Sequence, residues 1–347
     1  MPRGYYSRKS FQIKKQGEVL LITFSLTSEH IIAFAATFIL SIIAGPILIP
    51  FLRRLKFGQT VRDDGPQTHL KKTGTPTIGG LIFLIPITGV ALYYSQNYPE
   101  VIPILLATLG FGAVGFIDDF IKVVKKRKDG LYAGQKTFLQ LIVCVAFAFY
   151  VIRFTDAGSS IVIPFTDYVV QPWLYFLFIV IFMYFFANGV NITDGLDGLC
   201  AGVTLVVAIF FTVVSLTNSE WGYIKIFSAS IAGGCLGFLV FNIHPAKVFM
   251  GDTGSLALGG ALTAIVIMMR MPLIFFVIGG IYLIENISVI LQVGSFKLTG
   301  KRIFKMAPIH HHFEMLGWKE TKVVTVFIVV TVLLAVISLM IVGFGTY

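Results

Sequence analysis

Apolar stretches, each near the roughly 20 residues that cross a bilayer as a helix, recur along the chain. They fall near 30–52, 77–94, 101–118, 138–153, 172–190, 199–216, 224–242, 255–270, 272–292 and 322–344. The pattern predicts an all-α polytopic membrane bundle of about ten transmembrane helices. Breaks come around 188–198 and at Arg270-Met271-Pro272. No repeat period or low-complexity linker divides the chain, so residues 30–347 read as a single transmembrane domain. Residues 1–29 form a basic extension with no assigned role.

The cations are distributed unevenly between the spans. Nineteen of the 27 Lys and Arg fall in odd-numbered loops, and the even loops hold Arg153, Lys225 and Arg270. Cytoplasmic loops carry the excess of Lys and Arg, so the odd loops are expected inside and both termini outside. The tail opposes this with Arg3, Arg8, Lys9, Lys14 and Lys15. A headgroup-lying amphipathic segment, an added leader or an upstream start would each account for it.

Composition strengthens the membrane reading. The chain is 56% hydrophobic and 13% charged, whereas soluble domains carry about 25% charged residues. The net charge of +10 points to cytoplasmic loops and anionic headgroups rather than to nucleic acid. Cys144, Cys200 and Cys235 lie in or beside apolar segments and read as small buried hydrophobes. No cleavable signal peptide is expected, because the first apolar run is long enough to span and no small-residue site follows it.

The unusual polar stretches all lie on odd loops: "HLKKTGTPTIGG" (69–80), "GFIDDFIK" (115–122), "NGVNITDGLDG" (188–198), "FMGDTGS" (249–255) and "APIHHHFEMLGW" (307–318). A channel or transporter more often places ionisable groups near mid-membrane. Polar groups gathered at one face predict an active site at the cytoplasmic surface. Asp118 and Asp119 point about 100° apart on a helix, and Lys122 reaches both. Alone they would be a helix-end pair held by Lys122. Asn188, Asn191, Asp194 and Asp197 recur every third residue, whereas a helix cap needs one such residue. Four of them predict a site for something charged. Asp252 in Gly-Asp-Thr-Gly-Ser would alone be an N-cap, but it also suits a hard cation and a close-lying diphosphate. His310, His311 and His312 are consecutive, which argues against a zinc site. Nearby Gly and Pro favour a loop there, with imidazoles able to bond phosphate or sugar oxygens. Most of Lys125–Lys128 is expected to be a headgroup-facing stripe. The glycine-rich 73–80 segment suggests a close backbone approach to phosphate, without the spacing of a P-loop. Glu285 is the notable acid inside a span and reads as a packing hydrogen bond near Asn286.

"KKTGTPTIGG", "DDFIK", "NGVNITDGLDGL", "FMGDTGSLALGG" and "PIHHHFE" resemble the polyprenyl-phosphate N-acetylhexosamine-1-phosphate transferases from about residue 30 to the C-terminus. "PIHHHFE" points to the muramoyl-pentapeptide branch. The resemblance implies ten transmembrane helices, a homodimer and the bacterial cytoplasmic membrane. It further implies transfer of phospho-N-acetylmuramoyl-pentapeptide from its UDP carrier to undecaprenyl phosphate, giving lipid I and UMP with Mg²⁺. It implies Asp252 as metal ligand, with Asp118, Asp119 and Asp194 beside it and Asp118 the base or nucleophile. Asn188, Asn191 and Asp197 would hold nucleotide or metal-linked water. Lys72, Lys122 and Lys136 would neutralise phosphates, Thr77 would bind substrate, and His310, His311 and His312 would position the sugar-phosphate. Two rival readings are a sister transferase using UDP-N-acetylglucosamine and a non-catalytic lipid or ion transporter.

Overall fold

A computed structural model describes residues 28–54, 74–125, 130–155 and 171–344. The basic extension up to residue 27, Lys71, Lys72, Thr73 and Lys126–Lys128 lie outside the described residues. Helices are α1 (Ser28–Arg54), α2 (Leu81–Tyr94), α3 (Val101–Val124), α4 (Ala133–Phe154), α5 (Pro172–Thr193) and α6 (Leu199–Ser215). They continue as α7 (Gly222–Asn242), α8 (Gly251–Met268), α9 (Phe275–Ile278), α10 (Gly280–Thr299), α11 (Ile309–Met315) and α12 (Glu320–Phe344). Among the described residues, eight helices are long and apolar enough to cross a membrane, and α2 and α6 are shorter apolar helices. An all-α polytopic membrane protein is therefore what the pattern of apolar runs builds.

Four local expectations are corrected. The span expected at 272–292 divides into the one-turn α9 and the longer α10, with Gly279 as the break. Helix α3 runs past the expected end of its span at 118 to Val124, so the Asp118-Asp119 pair lies within its last two turns and not at its end. Its Lys122 bonds back to Asp118 at i,i+4 and supports that last turn. Lys225, expected in an even loop, is buried within α7. The three histidines lie on the short helix α11, which begins just after Pro308, the natural place for a helix to start.

The centre of the bundle is built around α8. It packs along α3 and α5, while α1 packs along α7 and α6 against α7 and α12. Close approach explains its glycines and alanines. A Cβ on Gly115 of α3 would overlap the Asp252 backbone, and one on Gly259 would meet the backbone of Ala187 on α5. A large apolar core including Phe111, Phe186, Phe211, Phe275 and Tyr282 surrounds this axis. By contrast α1 and α12 expose Ile39, Ile43, Leu333 and Ile337, as helices facing hydrocarbon do.

Candidate active site

Four helix ends meet at one end of the bundle: the C-terminal parts of α3 and α5 and the N-terminal turns of α4 and α8. They meet at Asp252. Lys122 Nζ lies 2.6 Å from Asp118 Oδ2, 3.0 Å from Asp252 Oδ2 and 3.8 Å from Asp119 Oδ1. Lys136, from the first turn of α4, places its Nζ 2.8 Å from the same Asp252 oxygen. Asn191 of α5 donates to Asp252 Oδ1 at 2.9 Å and to Ser255 Oγ at 2.8 Å. Both oxygens of Asp252 are thus occupied by side chains from α3, α4 and α5.

Asp118 and Asp119 are both buried, and being adjacent on a helix they face different partners. Asp118 Oδ1 accepts the Leu131 amide at 2.9 Å. Asp119 Oδ2 accepts both the backbone amide and the hydroxyl of Thr253, at 2.9 and 2.7 Å. Thr253 therefore ties α8 to α3 beside Asp252. Gly251 makes this contact possible. Its φ of +72° is the left-handed region that suits glycine, and a Cβ there would press on Asp119 and on buried Thr77.

The glycine-rich segment before α2 meets protein rather than open space. Gly79 and Gly80 donate their amides to the Phe249 and Met250 carbonyls at 2.9 Å, and Phe249 donates to Pro76. The expected backbone cradle for phosphate is thus spent on bracing the start of α8. A Cβ on Gly80 would overlap Gly254.

The Asn/Asp row separates into three environments. Asn188 remains in α5 and pairs with Gln140 of α4, its Nδ2 also donating to the Tyr184 carbonyl at 2.7 Å. Asn191 joins Asp252. Asp194 caps α5. Burial and the neighbouring charges of Asp252, Asp119 and Asp197 hold its carboxyl well above the usual range, opposed by the Gly251 amide. Asp197 turns to another cluster. Its Oδ2 lies 3.0 Å from His244 Nδ1 and accepts the Ala246 amide at 3.0 Å. Its own amide donates to Glu320 Oε1 at 2.7 Å, tying the turn to α12. Gly198 follows with a φ of +79° and donates to Asn242.

The histidines also separate. His310 is fully buried, with Nδ1 3.0 Å from Glu285 Oε1 and Nε2 facing Gly195. Glu285 therefore bonds α11 and not Asn286, which donates instead to the Phe185 carbonyl. His311 Nδ1 lies 2.7 Å from Glu314, and His312 Nδ1 accepts the Lys305 amide. The expected site residues Asp118, Asp119, Lys122, Lys136, Asn191 and Asp252 are in direct contact. Asp194 and Thr77 border them, and Asn188 stands one hydrogen-bond pair away. Asp197 and the histidines line separate clusters. Thr253, Ser255, Gln140, His244 and Glu320 were not signalled by the sequence. Thr and Ser beside Asp252 looked like ordinary capping, and His244 and Glu320 are distant from Asp197 in the chain.

Among the described residues, two groups of ligand types could hold a cation, the donor atoms of each lying within 4.8 Å of one another: Asp118, Asp119 and Asp252, and Asp197, His244 and Glu320. The first, purely oxygen in character, has the chemistry of a hard divalent ion. The Lys122 amine lying against all three carboxylates marks where positive charge is favourable.

Residues 101–270 match the family described as glycosyl transferase family 4. The chain is 61% identical to a phospho-N-acetylmuramoyl-pentapeptide-transferase of Acetivibrio thermocellus, across 90% of this chain and 94% of the relative. Proteins of the same description from Clostridioides difficile and Bacillus subtilis are 50% and 47% identical. Each alignment covers 90% of this chain, and 97% and 98% of those relatives.

Proposed function

The chain belongs to the phospho-N-acetylmuramoyl-pentapeptide transferase family, and on that premise we propose how its carboxylate centre works. The donor is UDP-N-acetylmuramoyl-pentapeptide and the acceptor is undecaprenyl phosphate. An acceptor phosphate oxygen attacks the sugar-linked phosphorus. The bond from that phosphorus to the UMP oxygen breaks, releasing UMP and leaving lipid I. The observation that carries this reading is the convergence of Asp118, Asp119 and Asp252 with two lysines from separate helices.

Mg²⁺ fits the all-oxygen donor set, and Asp252 with Asp118 and Asp119 would hold it. When bound, such an ion stabilises charge on diphosphate oxygens. The chain's own residues supply the rest. Lys122 and Lys136 release Asp252 to meet phosphate charge, since phosphoryl transfer depends mainly on positioning and electrostatics. Thr253 fixes Asp119 through two hydrogen bonds, while Asp118 is held by the Leu131 amide and by Lys122. A lipid phosphate is already ionised near neutral pH, so Asp118 orients it or removes a residual proton. Asn188, Asn191 and Asp197 hold the nucleotide side, and the α11 histidines the sugar-phosphate. The lysine-rich odd loops support a cytoplasmic position for this end of the bundle, at a bacterial cell membrane. A homodimer completes the proposal.

The test is UMP release by purified protein supplied with both substrates, with and without Mg²⁺, beside Asp252→Ala and Asp118→Asn. Release that needs lipid and metal and is lost in both variants supports the assignment. No release by folded wild type overturns it. A phosphorylated enzyme trapped by rapid quench without acceptor would replace direct attack by an Asp118 phosphoenzyme.

A further inference from the structure

We propose that Glu285 is a positioning residue: it holds His310 with the ring proton on Nδ1, so that Nε2 is the atom that meets the UDP-linked donor. The inference rests on the donor assigned above.

Glu285 is completely buried in α10, 24 residues before α11 begins. Its two oxygens are both used at the start of α11. Oε2 accepts the Ile309 amide at 3.0 Å, and Oε1 lies 3.0 Å from His310 Nδ1. With Oε2 already accepting an amide, we give the second oxygen the same accepting role and place the proton of that contact on Nδ1. A buried carboxylate in a membrane-spanning helix is costly and marks function more often than packing. Here it orients one ring, as a carboxylate orients a histidine in metal sites and catalytic triads.

The other ring nitrogen completes the case. His310 Nε2 is buried and has no hydrogen-bond partner among the described residues. A buried polar atom left so is costly and calls for a partner. It faces Gly195, where a Cβ would overlap the ring nitrogen itself. Gly195 sits between Asp194, which borders the carboxylate centre, and the turn carrying Asp197. The unpaired nitrogen thus looks onto the turn beside the centre where the diphosphate reacts. Nε2 packs directly on Gly195 here, so a donor that displaces this turn supplies the missing partner.

The competing account is that Glu285 only clamps the first turn of α11. Steady-state kinetics on the full chain in lipid separates the two, using Glu285→Gln, Glu285→Asp, His310→Gln and the double variant Glu285→Gln/His310→Gln. Glutamine can accept the Ile309 amide but presents an NH₂ to Nδ1, which moves the ring proton to Nε2. Glu285→Gln is expected to lower kcat/KM for the UDP donor about 10²-fold, the upper end for such orienting partners. The KM for undecaprenyl phosphate stays within about twofold. Glu285→Asp restores about a tenfold share of the loss, and the double variant is no worse than His310→Gln, as for residues acting as a unit. Additive losses, equal effects on both substrates, or no recovery in Glu285→Asp would overturn the proposal. A second readout needs no active variant: ¹⁵N spectra of histidine-labelled wild type, with the His310 signal assigned by its loss in His310→Gln. A protonated Nδ1 is expected, and an unprotonated Nδ1 overturns the proposal. Absence of UMP release by wild type would instead remove the donor reading and leave the tautomer result intact.

Discussion

Helices α8 and α12 are both long enough to cross a membrane, yet they are built on opposite terms. Helix α12 is the more apolar, and most of it faces outward, with Leu333, Ile337 and Met340 exposed. Helix α8 is rich in Gly, Ala, Ser and Thr, and nearly all of it is buried. In water the more apolar helix would be the buried one. In a bilayer the lipid already satisfies apolar surface, so burial is driven by close backbone packing and by polar groups that need partners. The less oily of the two therefore becomes the axis, and its first turn can carry Asp252. The expensive groups of the centre persist because each is held by another from a different helix.

The sharpest way to break this contrast is at Asp252. Asp252→Asn removes the charge that Lys122 and Lys136 share. A fall of about 10³-fold in kcat for UMP release is expected, the scale for losing one preorganised electrostatic group. Lys122→Met comes next. It leaves three carboxylates facing one another without the amine and should lower activity about 10²-fold. It should also make the melting temperature rise more steeply with added Mg²⁺ than in wild type, because a bound cation then replaces the missing charge. Thermal unfolding in detergent across a Mg²⁺ series checks this, and equal slopes would contradict it.

Smaller effects test the packing half of the contrast. Gly115→Ala pushes a methyl into the Asp252 backbone and should cost about 2 kcal/mol, within the usual range for overpacking. Denaturation midpoints would show it, with activity falling alongside because Asp252 is displaced. Leu333→Ala on the exposed face of α12 should change stability by less than about 0.5 kcal/mol and leave UMP release within about twofold. A large effect there would mean that α12 is covered by a protein partner.

Much of the bundle was legible in the apolar runs, because lipid imposes one length and one composition on every span. The divided ninth span was not, since Gly279 interrupts it without changing its hydropathy. Within the site, Asp118, Asp119 and Asp252 were visible as acids out of place among apolar residues, and Lys122 by its i,i+4 spacing. The pairing of Glu285 with His310 was not visible. The two are far apart in sequence, and an acid beside Asn286 resembles an ordinary packing contact.

By itself the sequence determined that this chain crosses a membrane many times, which residues are too polar to be there by default, and which motifs relate it to a transferase family. Those are properties of local composition and order. Only the tertiary structure decided which polar groups share charge: that Asp252 draws on α3, α4 and α5, that Asp197 turns away to His244 and Glu320, and that Glu285 orients His310. Such partnerships depend on distances of about 3 Å between helices far apart in the chain, and no periodicity along one strand of sequence encodes them.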